Sequence, residues 1–205
     1  MWILFIALLI VAYLFGSIPF GKLISQKVVK LDITKAGSGN IGAANVAREV
    51  GLEWGIVTLL ADTLKGFIPV TCAQYLLGSS AEINEVLTGI IGLTALLGHQ
   101  FSIYNRLKGG KGVATYLGFF LAISPISCLL CGMIFCIFVW VWRYISLGSI
   151  VASLTMPLCL YFIGYPNSII ILSLILSSFV TFQHRENIRG LVRGNERRWQ
   201  KSTLQ

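Results

Sequence analysis

Long apolar runs separated by short polar segments are the feature of this sequence that most restricts its fold. A helix needs about 20 apolar residues to cross the roughly 30 Å hydrocarbon core of a bilayer. Of the 205 residues, 56% are hydrophobic and 12% are charged, whereas a soluble domain carries about 25% charged residues. We therefore predict an all-α integral membrane protein with a single domain over residues 1–205. Seven runs are candidate spanning helices, at 2–24, 54–77, 86–101, 113–123, 125–142, 147–163 and 166–183.

The positions of the basic residues predict how these helices cross the membrane. Basic residues of membrane proteins are concentrated in the cytoplasmic loops. Here they follow the first, third, fifth and seventh runs, whereas the loops at 78–85 and 164–167 contain none. All basic clusters face one side if residues 113–142 cross twice, with a break near Ser124 and Pro125. This predicts seven transmembrane helices, several short or broken, with the N-terminus outside, the C-terminus inside and a basic cytoplasmic tail at 184–205.

The first predicted cytoplasmic loop has a composition typical of an anion-binding site. Residues 37–42 match G-x-G-x-x-G, and Ser38, Asn40, Asn45 and Arg48 add polar donors. Glycines let backbone N–H groups approach an anion closely, and a guanidinium suits phosphate. A dinucleotide site is excluded, because that fingerprint follows a β-strand and this segment follows a membrane helix. The alternative is a flexible surface loop in which Arg48 is only a topology signal.

The second predicted cytoplasmic loop has a similar composition. Residues 109–112, Gly-Gly-Lys-Gly, precede the fourth run, and Lys108 adds a further positive charge. The segment lacks the spacing and the Lys-Ser/Thr ending of a P-loop, so it does not predict nucleotide binding. Lys108 and Lys111 are either phosphate ligands or topology signals. Two such loops on one membrane face favour a ligand with more than one phosphate-like charge, or two such ligands.

Several polar residues lie within or at the ends of the apolar runs. Asp62 and Lys65 are three residues apart, so they share a helix face, and we favour a structural ion pair over a functional site. His184 and Asn187 have the same spacing at the cytoplasmic end of the last run. His184 is a candidate base, a donor to an anion, or an interface residue. Ser149 is a candidate site residue or a packing serine.

The remaining composition argues against two other classes of site. The net charge of +8 comes from the topology clusters, so we predict no nucleic-acid partner. The five cysteines lie inside apolar runs, and Cys128 and Cys131 lack a second pair or a nearby His. We therefore predict that they are small core residues, with no metal site and no cofactor.

These segments, in this order, resemble the bacterial acyl-phosphate:glycerol-3-phosphate acyltransferase family, membrane enzymes of phospholipid synthesis. A Ser-Gly-Asn-x-Gly-x-x-Asn loop with Gly-Gly-Lys-Gly downstream is specific in combination. The His-x4-Asp signature of acyltransferases that use acyl-CoA or acyl-carrier protein is absent, because Tyr104 follows His99 and Arg189 follows His184 at that spacing. The resemblance covers almost the whole chain, through segments 37–48, 62–69, 98–114, 143–149 and 184–188.

The resemblance implies transfer of an acyl chain from acyl phosphate to the 1-hydroxyl of glycerol 3-phosphate. The products are 1-acyl-glycerol 3-phosphate (lysophosphatidic acid) and phosphate, formed without a cofactor at the cytoplasmic face of the bacterial inner membrane. It implies catalytic roles for Ser38, Lys111, His184 and Asn187. Further residues are expected to bind substrate: Gly39, Asn40, Gly42, Asn45, Arg48, Lys108, Gly109, Gly110, Gly112 and Ser149.

The resemblance also implies a division of labour among these residues. Backbone N–H groups of segments 37–42 and 109–112 are expected to hold the acyl phosphate, with Ser38 and Asn40. The glycerol phosphate is expected to contact Arg48, Lys111, His184 and Asn187, with Ser149 at the rim. The reverse assignment of the two loops fits equally well. The proton of the attacking hydroxyl passes either to a substrate phosphate oxygen or to His184.

A transporter or channel for a small anion is the main alternative from another class. It predicts polar residues throughout the spans and a repeat between the halves of the chain. The runs are apolar apart from Asp62, Lys65 and scattered Ser and Thr, and no repeat is visible. A non-catalytic membrane scaffold gives no reason for two glycine-rich basic loops.

The topology is checked with a reporter fused after Gln205. We expect the reporter on the cytoplasmic side, because the tail carries six basic residues, Arg185, Arg189, Arg193, Arg197, Arg198 and Lys201. Detection of the reporter outside the cell contradicts the seven-helix prediction.

Overall fold

The computed structural model describes residues 2–78 and 82–199, with only the backbone described at residue 82. All regular secondary structure in these ranges is helical, as the sequence predicts. Part of the predicted outer loop at 78–85 and the end of the tail, including Lys201, lie outside the described residues. The chain forms two compact units, which divide between Ile123 and Ser124. The single domain over residues 1–205 stays a prediction.

The first unit is built from α-helices and two short 3-10 turns. The turns, Ile33–Lys35 and Ile103–Asn105, lie in the two predicted cytoplasmic loops. Each glycine-rich segment therefore lies between a 3-10 turn and the α-helix that follows it. The helices are α1 (Trp2–Ser17), α2 (Phe20–Val29), α3 (Ala43–Glu49), α4 (Leu52–Leu77), α5 (Glu82–Gln100) and α6 (Val113–Ile123).

The first apolar run, predicted as one helix over 2–24, is divided in the structure. The first helix ends at Ser17 and the second begins at Phe20. Proline has no N–H to donate and its ring clashes with the preceding turn, so Pro19 ends the hydrogen-bond ladder of α1. Its carbonyl oxygen accepts from Leu23 N at 3.0 Å, which starts the ladder of α2.

The second unit contains α7 (Pro125–Trp142), α8 (Ile145–Ile163), α9 (Asn167–Gln183) and α10 (Arg185–Val192). The predicted helix break at residues 124–125 is confirmed. The side chain of Ser124 accepts from Ser127 N, and Pro125 occupies the first turn, where its missing N–H costs nothing. Arg143, with φ of +63°, ends α7 in the left-handed conformation.

Helix length and composition support a membrane location for both units. Within the described ranges, five segments are long and apolar enough to cross a bilayer: Trp2–Val29, Leu52–Leu77, Ile83–Asn105, Pro125–Trp142 and Ile145–Ile163. A sixth is obtained if α9 and α10, bent by 62°, count as one span. The 11 residues of α6 rise about 16 Å, roughly half the hydrocarbon thickness. Large apolar side chains, such as Phe162 at 82%, are exposed on the protein surface, as expected for contact with lipid.

The helices of the first unit approach one another closely at glycines. A Cβ added at Gly66 of α4 would overlap the carbonyl oxygen of Thr115 on α6. A Cβ at Gly118 of α6 would overlap that of Thr63 on α4. Small residues give membrane helices close contact, which matters because lipid provides no hydrophobic force between them. The pairing of α4 with α6 therefore depends on two reciprocal glycines.

We expect Gly118→Ala to lower the stability of the protein by about 1–3 kcal/mol, because the added methyl group meets helix backbone that has to move. The measurement is the melting temperature of the purified protein in detergent. Gly132→Ala is the control, because a Cβ at Gly132 in α7 has no atom within 4 Å. Equal melting temperatures for the two variants contradict this account of α4–α6 packing.

Candidate active site

The first glycine-rich segment is a compact loop between the 3-10 turn and α3. The Asp32 carboxylate begins the turn, accepting hydrogen bonds from Thr34 Oγ1 at 2.7 Å and Thr34 N at 3.2 Å. The hydroxyl hydrogen bond lowers the pKa of Asp32 below its usual value. Gly37 and Gly39 have φ of +59° and +70°, a region that other residues adopt at a cost. These two glycines are therefore required by the chain path.

Asn45 on α3 fixes this loop. Its Oδ1 accepts from Ser38 N at 2.9 Å, and its Nδ2 donates to Ala36 O at 3.1 Å and Asn40 O at 2.9 Å. The residue is 2% exposed. Asn45 was predicted from the sequence to bind substrate. The structure instead makes it a support of the loop, because both amide protons and the carbonyl are used within the protein.

Part of the predicted backbone anion site is also occupied internally. Besides Ser38 N, Gly39 N donates to Ala36 O at 2.9 Å and Gly42 N donates to Asn40 Oδ1 at 2.8 Å. These N–H groups are therefore not directed at a ligand in this structure, which corrects the expectation for segment 37–42. Ser38 is exposed, so its hydroxyl is accessible on the surface of the loop.

Gly42 precedes α3, whose last turn contains Arg48. The helix has only seven residues, so its dipole adds little positive potential at Gly42. Arg48 is partly buried and interacts with neighbouring protein groups. A Cβ at Gly55 would overlap Ala47, so α3 packs closely on the start of α4.

The second glycine-rich segment is fixed to the end of α5. Gly110 N donates to His99 O at 3.1 Å, and Gln100 Nε2 donates to Lys111 O at 3.0 Å. Cβ atoms at Gly109 and Gly110 would overlap His99, and Gly112 has φ of +88°. Glycine is therefore required here by close approach and by backbone conformation.

The two predicted lysines of this segment differ in their surroundings. Lys108 is exposed, and its carbonyl accepts from Asn105 Nδ2 at 2.7 Å. The Asn105 Oδ1 accepts from Lys22 Nζ at 2.7 Å, which connects this loop to α2. Lys111 is partly buried and interacts with protein groups. The more confined Lys111 is therefore better placed than Lys108 to hold a ligand in a defined position.

A buried charged cluster lies beside this loop. The predicted Asp62–Lys65 ion pair is confirmed, with Lys65 Nζ 2.7 Å from Asp62 Oδ1. His99 completes the cluster, with its Nδ1 3.3 Å from Lys65 Nζ and 3.6 Å from Asp62 Oδ1. All three residues are at most 3% exposed.

In the second unit, His184 lies between α9 and α10. It is 2% exposed, so its ring is enclosed by protein. Its Nδ1 lies 2.8 Å from Val180 O. A carbonyl only accepts, so Nδ1 carries a proton and the lone pair of a neutral ring is on Nε2. The ring can therefore accept a proton when neutral, or donate from Nε2 to an anion when charged.

Asn187 and α8 are joined through Glu196. The Glu196 Oε1 accepts from Asn187 Nδ2 at 2.7 Å and from Ser146 Oγ at 2.6 Å. A Cβ at Gly190 would lie 2.9 Å from the other carboxylate oxygen, so the absence of a side chain at Gly190 leaves room for Glu196. Ser149 follows Ser146 by three residues on α8 and is 4% exposed. Asn187 is therefore one end of a hydrogen-bonded chain through Glu196 to Ser146. Ser149 lies one helical turn beyond Ser146.

The cysteines provide no metal-binding arrangement. Cys131 Sγ and Cys159 Sγ are 3.8 Å apart, and both cysteines are free thiols. In the part of the chain that the structure describes, no group of three or more His, Cys, Asp or Glu side chains is placed to hold a metal ion.

The family model described as glycerol-3-phosphate acyltransferase matches residues 6–194, which include most of both units. The chain belongs to the glycerol-3-phosphate acyltransferase family.

Individual members of the family match over nearly their whole length. The glycerol-3-phosphate acyltransferase of Geotalea daltonii is 46% identical over 191 residues, covering 93% of this chain and 95% of that protein. That of Syntrophotalea carbinolica is 40% identical over 195 residues, covering 95% and 97%. The crystal structure of PlsY (YgiH), described as an integral membrane glycerol 3-phosphate acyltransferase in its glycerol 3-phosphate form, is 38% identical. It has a TM-score of 0.88 and covers 96% of each chain. Its lysophosphatidic acid form has a TM-score of 0.86.

The predicted site residues of this acyltransferase fall into two groups, one in each unit. The first unit contains Ser38, Gly39, Asn40, Gly42, Asn45, Arg48, Lys108, Gly109, Gly110, Lys111 and Gly112, and the second contains Ser149, His184 and Asn187. The first unit brings Ser38 together with Asn40 and Asn45, and places residues 109–112 against His99. Sequence reasoning assigned no role to Glu196 or Ser146. The available signal for Glu196 was its position as the one acidic residue between Arg193 and the pair Arg197 and Arg198.

Proposed function

We propose that this protein transfers an acyl chain from acyl phosphate to the 1-hydroxyl of glycerol 3-phosphate, producing 1-acyl-glycerol 3-phosphate and phosphate in phospholipid synthesis. The observation that carries the proposal is the full-length similarity to a membrane acyltransferase whose structure has a glycerol 3-phosphate form and a lysophosphatidic acid form. Lysophosphatidic acid is the product that this reaction predicts. The lipid bilayer supplies the environment for the acyl chain.

The choice of acyl phosphate as donor is supported by chemistry. An acyl phosphate is a mixed anhydride with a good leaving group, so the enzyme needs no covalent intermediate. The glycerol hydroxyl oxygen attacks the acyl carbon, the bond from that carbon to the phosphate oxygen breaks, and the phosphate leaves with the electron pair. Positioning and charge stabilisation then supply most of the rate. The absence of the His-x4-Asp signature from the sequence is consistent with this donor.

The residue roles are proposed as follows. Ser38 and Asn40 hold the acyl phosphate together with the backbone of residues 109–112. Arg48, Lys111, His184 and Asn187 balance the charge of the glycerol phosphate, with Ser149 at its rim. The loop assignments can be exchanged without changing the chemistry. Asn45 is placed behind the loop as its support, because its amide is used by the loop backbone.

We propose that the reaction takes place at the cytoplasmic face of the bacterial inner membrane. Seven crossings, with the N-terminus outside and the C-terminus inside, are supported by the basic residues that follow alternate helices. In this topology α6 is a short crossing, and α10 continues α9 along the inner surface. Both glycine-rich loops and the tail then share the cytoplasmic side.

The donor is tested with purified protein supplied with glycerol 3-phosphate and one acyl donor at a time. We expect equal amounts of lysophosphatidic acid and free phosphate with acyl phosphate, and no product with acyl-CoA. Lys111→Ala is expected to lose activity, and Lys27→Ala, exposed on α2, is expected to retain it. Product from acyl-CoA contradicts the proposed donor. No turnover by folded protein favours the anion transporter.

The role of His184 is tested separately with His184→Gln. We propose that the charged ring binds the phosphate of glycerol 3-phosphate and that a substrate phosphate oxygen takes the hydroxyl proton. The expected result is a KM for glycerol 3-phosphate raised about tenfold, with kcat changed by less than about threefold. A fall in kcat of about a hundredfold or more identifies His184 as the general base instead. Ser178→Ala, whose hydroxyl binds its own helix at Leu174 O, is the control.

A further inference from the structure

The buried Asp62–Lys65–His99 cluster has no role in the proposed mechanism. Burying its charges nevertheless costs free energy. Its charges lie in α4 and at the end of α5, within segments long enough to span a membrane. Removing a charged pair from water costs several kcal/mol per ion before mutual attraction is counted. A hydrophobic pair of similar size would fill the same space at a lower cost. The cluster therefore has a task beyond filling space.

The contacts of His99 indicate what that task is. Its carbonyl oxygen accepts from Gly110 N, and its ring lies so close to Gly110 that a Cβ there would overlap Nε2. The next residue, Gln100, donates from Nε2 to Lys111 O. The end of α5 therefore sets the positions of two consecutive residues of the Gly-Gly-Lys-Gly segment. Lys111 is the predicted phosphate ligand among them.

The opposite end of this segment is joined to the same cluster. Thr115 in α6 donates from Oγ1 to Asp62 O at 3.1 Å. The reciprocal glycines Gly66 and Gly118 hold α4 against α6 around this contact. Residues before and after the Gly-Gly-Lys-Gly segment are therefore both held by the turn of α4 that contains Asp62 and Lys65.

The cluster also defines the orientation of the His99 ring. A lysine ammonium has three donors and no acceptor. Lys65 can therefore donate to Asp62 Oδ1 and to His99 Nδ1 at the same time, at 2.7 and 3.3 Å. With Nδ1 accepting, the neutral ring carries its proton on Nε2, at the edge that faces Gly110.

We propose that Asp62, Lys65 and His99 are positioning residues that fix the Gly-Gly-Lys-Gly loop, and with it Lys111, for binding of a substrate phosphate. This inference rests on the proposed function, because it concerns the phosphate-binding loop of that reaction. The cluster acts through the loop and does not touch the reacting atoms. It therefore controls phosphate affinity more strongly than it controls the chemical step.

The experiment separates positioning from simple stabilisation. In Asp62→Asn with Lys65→Met, both charges are removed together, so no unpaired buried charge is left. His99→Asn keeps an amide that can accept from Lys65 but removes the ring edge beside Gly110. Thr88→Val is the matched control, because Thr88 is also buried in α5, at 2% exposure, and lies eleven residues before His99.

KM and kcat are measured for glycerol 3-phosphate and for acyl phosphate, using protein that elutes as a single folded species. We expect the double variant and His99→Asn to raise the KM for one of the two substrates by about tenfold or more. The other KM and the Thr88→Val constants stay within about twofold of wild type. A purely structural cluster lowers the yield of folded protein and leaves both KM values of the folded species unchanged, and that result overturns the proposal. Failure of both test variants to fold also overturns it.

The activity of wild-type protein with acyl phosphate shows separately whether the proposed function is correct. If wild-type protein does not use acyl phosphate, the reaction is wrong, and the positioning role is measured by calorimetry with inorganic phosphate. The proposal then requires that the double variant bind inorganic phosphate about tenfold more weakly than wild type. Equal affinities contradict the positioning role whatever the reaction is.

Discussion

A polar group inside a bilayer has no water to bind, so its partner has to come from the protein itself. Several serine and threonine side chains of this chain satisfy that requirement by donating to carbonyl oxygens. Thr58 Oγ1 donates to Trp54 O at 2.8 Å within α4, and Ser177 Oγ donates to Ser153 O at 2.6 Å between α9 and α8. The same requirement explains the Asp62–Lys65 pair. These polar side chains are therefore accommodated in the helices by partners that the protein supplies.

The need for hydrogen-bond partners within the protein also applies to backbone outside the helices. Each glycine-rich loop uses side chains to bind its own backbone: Asn45 for the first loop, Gln100 for the second. Glycine allows these contacts because backbone can then approach to van der Waals distance. It serves the same purpose between α4 and α6, where Gly66 and Gly118 face the opposite backbone. One property of glycine, the missing side chain, thus supports both helix packing and loop structure.

Local patterns in the sequence predicted those parts of the structure that depend on nearby residues. The apolar runs are helices, the break at Ser124 is present, and Asp62 pairs with Lys65 three residues away. Contacts between distant residues were not predictable. His99 lies 34 residues from Lys65, and Glu196 lies 50 residues from Ser146. A single sequence carries no signal for such pairs until the helices are placed side by side.

The site residues show the same limit in a different form. The glycine-rich segments were recognised from their local composition, and Asn45 was predicted to bind substrate. The residue type was informative, since an amide suits both a phosphate and a loop backbone. Its direction depends on how α3 packs under the loop, and three hydrogen bonds to Ser38, Ala36 and Asn40 decide it. Composition therefore indicates which groups a segment can hydrogen-bond. Packing decides whether those hydrogen bonds go to a substrate or to the protein.

In the proposed function Asn187 contacts a substrate phosphate, and Glu196 then affects the electrostatics of that proposed site. A carboxylate near a bound phosphate is unfavourable unless its charge is used to orient donors. Its Oε1 accepts from both Ser146 and Asn187, so the Asn187 amide is held with one N–H on the carboxylate and the second available to another acceptor. Orientation achieved before substrate arrives lowers the reorganisation needed during acyl transfer. The repulsion from one carboxylate is then offset by a donor that is fixed in advance.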